Sequence, residues 1–168
     1  MIRKIKFKLI TEGCAPVITD NGDAFDLRAA KEVRINAPVV DENGKVKINN
    51  TLVPLGIAME LPKGCIANVR PRSSTYKKWY VIQSNSVGLI DGLFSSDSDE
   101  WQMPVIALKN SKIAKGERIC QFEIRPSQKA TFWQKLKWML TSEYKFVAVD
   151  TLGNPARGGF GEGTKEVK

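Results

Sequence analysis

The 168-residue sequence contains no histidine. This removes Ser–His and Cys–His nucleophilic pairs, so any proton transfer must rest on carboxylates, lysine, tyrosine or water. Cysteine is sparse as well. Cys14, Cys65 and Cys120 are scattered, odd in number and match no zinc-ligand spacing. The expectation is a reducing compartment and no transition metal held by the protein. No apolar run is long enough to cross a bilayer, and no continuous apolar segment follows the N-terminus as a signal peptide would require. Nor is there a carboxylate cluster resembling an all-protein cage for a divalent cation.

What is present is an ordinary globular composition, 42% hydrophobic and 26% charged, of a size that suits one core. The net charge of +8 favours anionic partners without choosing among them. Most segments read as short strands between turns: Ile2–Leu9, 25–30, 33–40, 45–48, 52–60, 66–70, 81–90, 104–108 and 119–124. Asp41-Glu42-Asn43-Gly44, between two alternating runs, predicts a hairpin. The pattern predicts an all-β sandwich or roll. One segment breaks it: 131–144 reads as a short inserted helix. Thr131 and Gln134 fit a capping box, and Phe132, Leu136, Leu140 and Tyr144 recur every four residues as one apolar stripe. Such a helix either packs on its own sheet or docks a partner. The tail 157–165 is Gly-rich, and reads either as a free terminus or as a lid over an anion.

The chemistry concentrates in a few places. Val87-Gly88-Leu89-Ile90-Asp91-Gly92 puts one carboxylate at a Gly-flanked turn, with Phe94 three residues on, where it can orient a water beside a flat ring. Pro71-Arg72-Ser73-Ser74 offers a guanidinium, two hydroxyls and backbone amides, which suit phosphate. Arg118, Gln121 and Arg157 add separated polar groups. Phosphoryl chemistry asks mainly for positioning and charge stabilisation, usually with Mg²⁺ held on the substrate's phosphates.

Five blocks in order resemble those of the trimeric dUTP pyrophosphatase (dUTPase) family. They are Ala24-Phe25-Asp26-Leu27-Arg28-Ala29-Ala30, Pro71-Arg72-Ser73-Ser74-Thr75-Tyr76-Lys77, Gly88-Leu89-Ile90-Asp91, Gly116-Glu117-Arg118-Ile119-Cys120-Gln121 and Arg157-Gly158-Gly159-Phe160-Gly161. The longer central block, ending Asp97-Ser98-Asp99-Glu100-Trp101, looks most like phage and Bacillus-type members. The resemblance implies a distorted β jelly roll over 1–153, a Gly-rich arm or lid at 154–168, and a homotrimer with shared active sites. It implies Mg²⁺-assisted hydrolysis of dUTP to dUMP and pyrophosphate in the cytoplasm of a bacterium or phage-infected host; no membrane role is expected, and no stacking motif or basic helix supports a nucleic-acid partner. By position, Asp91 matches the water-activating carboxylate and Gln121 a polar group at the phosphates. Arg72, Ser73 and Ser74 match the phosphate-binding block. Asn85 and Gly88 match the uracil-reading hairpin, and Asp26 an acidic residue that reaches the metal through water. Arg157 matches the arginine closing on the terminal phosphate, and Phe160 the aromatic covering uracil.

Three features depart from the family. Phe94 stands where a tyrosine usually underlies the sugar, Glu162 adds negative charge to the last block, and the 131–144 helix is unusual. Two alternatives remain at this stage: a dCTP deaminase-like enzyme using Glu100 as base, and a non-catalytic regulator of the same fold binding nucleotide or a protein partner through the inserted helix.

Overall fold

A computed structural model describes residues 1–19 and 22–156. Among the described residues, fourteen strands and two short helices build several small sheets that do not close into a barrel. β1 (Ile2–Leu9) lies between β7 (Ile57–Glu60), antiparallel, and β14 (Glu143–Ala148), parallel. The sheet that carries the site has the order β10 (Gly88–Ile90), β8 (Cys65–Pro71), β13 (Arg118–Pro126) and β2 (Phe25–Arg28), all antiparallel. A third sheet pairs β6 (Thr51–Pro54), β11 (Gln102–Ala107) and β9 (Val81–Gln83). β3 (Val33–Ile35) with β12 (Ser111–Ile113), and β4 (Val39–Val40) with β5 (Val46–Lys47), complete the set.

Strand alternation sends one face of each sheet inward. Leu27, Val53, Ile57, Met59, Ala67, Trp101, Met103 and Ile119 are completely buried. Trp101 packs edge-on to Phe122, with ring centroids 5.2 Å apart. Its backbone also spans the bend at Gly56, donating to Ile57 O while its carbonyl accepts from Leu55. Gly56 has φ +69°, and a Cβ there would lie 2.8 Å from Cys14 Cβ, so this bend admits only glycine. It divides the expected 52–60 strand into β6 and β7.

Other differences from the sequence reading have equally local causes. The expected 81–90 strand is broken by a turn at 84–87, where Ser86 sits at φ +59°. A one-turn helix, α1 (Thr75–Trp79), follows the Arg72 block, because Thr75 Oγ1 accepts from Arg72 N and donates to Ile119 O, tying the turn down. The inserted helix, α2 (Phe132–Met139), forms with its capping box intact: Thr131 Oγ1 accepts from Gln134 N, and Gln134 Oε1 from Thr131 N.

The expected apolar stripe on α2 does not form. Tyr144 belongs to β14, while Phe132 and Leu140 are 71% and 59% exposed. The helix is held instead by Trp138, whose indole donates to Ile124 O, and by Gln134, which fills the space above Gly64. A hydrogen-bonded indole and the cavity over a glycine together outcompete a simple four-residue apolar repeat.

Candidate active site

β2, β13 and β8 bring Asp26, Gln121 and Arg70 into one cross-strand row, because Asp26 pairs with Gln121 and Gln121 with Arg70. Arg72, two residues beyond Arg70, returns to the same face. A register shift between Arg118 and Cys120 turns Arg118 towards the same point. Asp26 is buried, and its two oxygens are taken separately: Arg72 Nε donates at 2.8 Å and Arg118 Nη1 at 3.0 Å. One carboxylate therefore orients two guanidinium groups, leaving a net positive pair at this end of the sheet. Charge-assisted bonds of this kind are the stronger class.

Ser73 is exposed and Ser74 half-buried in the turn leading into α1. Ser74 stands at the N-cap position, yet its hydroxyl makes no capping bond. Gln121 lies half-buried on β13, between Asp26 of β2 and Arg70 of β8. Beneath it, burial pushes the Cys120 thiol far up, assisted by Asp26, so this cysteine stays neutral and inert.

Asp91 is elsewhere. It follows β10, one residue past the Ile90–Ala67 pair, and so faces the start of β8. Asp91 Oδ1 accepts from Leu93 N at 2.9 Å and its carbonyl from Phe94 N, a tight turn that fixes the carboxylate plane. Phe94 is half-buried, with part of its ring packed on the core. The Asp91 turn lines a cleft of about 770 Å³, with Cys65, Ile66, Ser95, Lys129 and Asn154 also on its walls.

At the other end of β10, Asn85 sits at the tip of the turn. Its Oδ1 accepts from Gln83 Nε2 at 2.8 Å. Gly88 lies against Val69 and Gln83; a Cβ there would be 3.4 Å from each. Asn85, Gly88 and Asp91 therefore share one edge strand, with Asn85 towards the Arg72 end of β8 and Asp91 beside its start, while Arg72, Ser73, Ser74, Asp26 and Gln121 gather at the end of β8 far from Asp91. From Ile66 to Arg72 is about 20 Å of strand at roughly 3.3 Å per residue. The fold of one chain therefore keeps Asp91 apart from the Arg72 group.

Sequence reasoning did not single out Asp97 in this context. Asp97 Oδ1 accepts from Leu152 N and Oδ2 from Thr151 Oγ1, both at 2.7 Å, with Lys8 Nζ at 3.3 Å. The backbone bond from Leu152, then the Thr151 hydroxyl and Lys8, hold its carboxyl below the usual range. Asn154 Nδ2 donates to Ser95 O. The last described segment is thus delivered to the rim of the Asp91 cleft. The acidic run 97–100 was the only sequence signal. Arg157 and Phe160, like Glu162, lie outside the described residues.

Glu100 is committed to the core. Its Oε1 accepts from Gly56 N at 2.9 Å, and it is not among the residues lining the Asp91 cleft. A general base after the central hairpin, as the deaminase-like reading requires, is therefore not in place there.

The arrangement matches known proteins along most of its length. The dUTPase family model matches residues 14–137. The SPbeta prophage-derived deoxyuridine 5'-triphosphate nucleotidohydrolase YosS of Bacillus subtilis is 46% identical over 147 residues, 87% of this chain and 87% of that protein. The deoxyuridine 5'-triphosphate nucleotidohydrolase of Finegoldia magna is 31% identical over 133 residues, 76% of this chain and 85% of that one. Among solved structures, dUTPase from Streptococcus mutans superposes with a TM-score of 0.62 at 24% identity, over 75% of this chain and 98% of that one. Staphylococcus bacteriophage 80alpha dUTPase with dUPNHPP gives 0.60 at 15% identity, over 76% and 85%. The two structural likenesses concern the fold, and the sequence matches carry the kinship: this chain belongs to the dUTPase family.

Proposed function

We propose that this protein hydrolyses dUTP to dUMP and pyrophosphate, as a homotrimer in which each active site is completed by a neighbouring subunit. The observation that carries the reading is the carboxylate of Asp91, held on its turn in the wall of the cleft and on the same edge strand as Asn85 and Gly88. A nucleoside laid along β10 with its base at Asn85 places its sugar near Asp91. The phosphates then run onward, away from the Arg72 end of the same chain. The guanidinium pair and Ser73–Ser74 must therefore come from another copy. Closed rings of identical chains supply such heterologous contacts.

In this site Asp91 accepts the proton of a water attacking phosphorus, and the P–O bond between the α- and β-phosphates breaks. Phe94 packs under the sugar. Arg72, Ser73, Ser74 and Gln121 hold the phosphates and stabilise the charge that develops on them. Among the described residues no three His, Cys, Asp or Glu side chains group to hold a metal. That donor set fits Mg²⁺ bound by the triphosphate and water, with Asp26 reaching it through water only. Bound Mg²⁺ would neutralise phosphate charge. The arm at 154–168, starting beside Ser95, would carry Arg157 and Phe160 over a nucleotide as a lid. No described helix is long and apolar enough to cross a membrane; given phage and bacterial relatives, we place the enzyme in the cytoplasm.

The test uses subunit mixing. Asp91→Asn and Arg72→Ala should each be nearly inactive towards dUTP with Mg²⁺; loss of a general base alone is typically about 10²–10⁴-fold. Refolding the two together should restore activity, because random assembly leaves about one site in four intact. Two inactive variants that never complement would refute shared sites. A wild-type protein that releases no pyrophosphate from dUTP would refute the activity.

A further inference from the structure

Gln83 is a buried amide with an unusual set of partners. It is 4% exposed, at the end of β9 and just before the Asn85 turn. Its Nε2 donates to Val69 O at 3.1 Å and to Asn85 Oδ1 at 2.8 Å. Its Oε1 is buried without a hydrogen-bond partner among the described residues. An unpaired buried acceptor is costly, and a buried polar group of this kind calls for a reason.

We propose that Gln83 is a positioning residue for base selection: it fixes which edge of the Asn85 amide meets the pyrimidine. This rests on the dUTP reading above and deepens it. The orientation follows from donor and acceptor rules. Val69 contributes a carbonyl, which can only accept, so the Gln83 nitrogen must face it. The second N–H of that nitrogen points at Asn85, which must therefore present its oxygen. The Asn85 amide cannot turn over without setting two donors against each other. Its Nδ2, with two N–H groups, is directed away from Gln83.

The turn itself is held from both sides. Ser84 N donates to Pro104 O, Ser84 pairs with Asn50 through their side-chain oxygens at 2.8 Å, and Val87 N donates to Asn85 O. Gly88 lets the strand lie close to Gln83, since any side chain would begin 3.4 Å from the Gln83 nitrogen. The outward group at Asn85 is thus a fixed donor. A uracil, with a carbonyl oxygen at ring position 4, can accept from it. A cytosine offers an amino group there and meets donor with donor. Sites built to hydrogen-bond one partner discriminate strongly against an analogue that leaves the pairing unmade.

The experiment measures the affinities of non-hydrolysable α,β-imido analogues of dUTP and dCTP by calorimetry with Mg²⁺, for the full chain and two variants. Binding is read separately from turnover, so an inactive enzyme would count against the hydrolysis reading while leaving this test intact. The wild type should prefer the uracil analogue. Gln83→Leu removes the clamp together with the orphan acceptor. Because it also takes the Nε2 donor from Val69 O, the two effects offset, so it should fold with a Tm close to wild type and lose about 10-fold or more of the preference, the scale of one unmade buried hydrogen bond. Asn85→Asp, at an exposed position, keeps the bond from Gln83 but turns an acceptor outward, and should shift the preference towards the cytosine analogue. A wild type without preference, a folded Gln83→Leu with undiminished preference, or an Asn85→Asp that weakens both analogues equally would each overturn the proposal.

Discussion

Replacing Asp26 by asparagine removes one charge and changes almost nothing in shape, so its effect isolates what the carboxylate does for Arg72 and Arg118. In the native protein both oxygens accept from guanidinium groups, at 2.8 and 3.0 Å. Hydrogen bonds to charged groups contribute about 1.5–3 kcal/mol each. Asparagine keeps one neutral acceptor and turns an NH₂ group against the other arginine. Full burial would put the loss near the roughly 3–5 kcal/mol of a broken buried pair. Here the Asp26 side chain is 6% exposed, but those of Arg72 and Arg118 are 22% and 38% exposed, so water recovers part of it. We expect a net loss of about 2 kcal/mol, and a fall in Tm of about 4–8 °C for a chain of this size.

The functional effect should be separable from the stability effect. Without Asp26 the two guanidinium groups lose their common anchor and repel each other, while the local charge becomes more positive. Triphosphate should still be attracted, but held in poorer geometry. The expected signature is a KM changed by only a few-fold with kcat reduced about 10–100-fold, since misplacement acts on the transition state more than on capture. Thermal unfolding at fixed protein concentration and steady-state pyrophosphate release measure the two effects. An Asp26→Asn protein with wild-type Tm and wild-type kcat would show that the carboxylate does not organise the arginines.

Two further expectations follow from the contacts of other elements. Asp97 is held below its ordinary pKa of 3.8 by Leu152 N, the Thr151 hydroxyl and Lys8. Its contribution is therefore fully present above that value and lost as pH falls through the lower folded-state value. Hydrogen exchange at Leu152 should consequently rise as pH is lowered below about 4 in wild type, relative to the intrinsic rate, and should already be raised at neutral pH in Asp97→Asn; pH-independent protection would contradict the anchor. On α2, Trp138→Ala should cost about 2 kcal/mol, below the roughly 3–5 of a fully buried aromatic, whereas Leu140→Ser should stay within about 0.5 kcal/mol; equal Tm losses would restore the four-residue stripe.

Features governed by near neighbours were legible in the sequence. Asn43-Gly44 forms its hairpin turn, with Gly44 at φ +77° and Asp41 Oδ1 accepting from Asn43 N and Lys45 N. Thr131 and Gln134 satisfy each other's backbone amides, because a capping box needs only a spacing of three. The ordered blocks identified the family, since each carries a side-chain type demanded at a fixed place in a strand or turn. Features that depend on distant pairing were not legible. β14 joins β1 in parallel from the opposite end of the chain, and its half-exposed alternation Glu143-Tyr144-Lys145-Phe146 has no partner nearby in sequence to announce it. Gly56 reads as one glycine in an apolar run until Cys14 is placed against it.

The candidate site divides along the same line. Arg72, Ser73, Ser74, Gln121, Asn85 and Asp91 stood out by type and order, but the separation of Asp91, beside the start of β8, from the Arg72 group at its end did not. That separation depends on which strands pair: Ile90 with Ala67 at one end, and Gln121 with both Asp26 and Arg70 at the other. Gln83 and Asp97 are the limiting cases. A glutamine in a strand and an aspartate in an acidic run carry no chemical signature of their own. Each becomes specific only through a group that can play one part: the Val69 carbonyl, which must accept, and the Leu152 amide, which must donate. Where a backbone group fixes the polarity of a side chain, and that side chain fixes another, the information lies in a chain of contacts that spacing along the sequence does not encode.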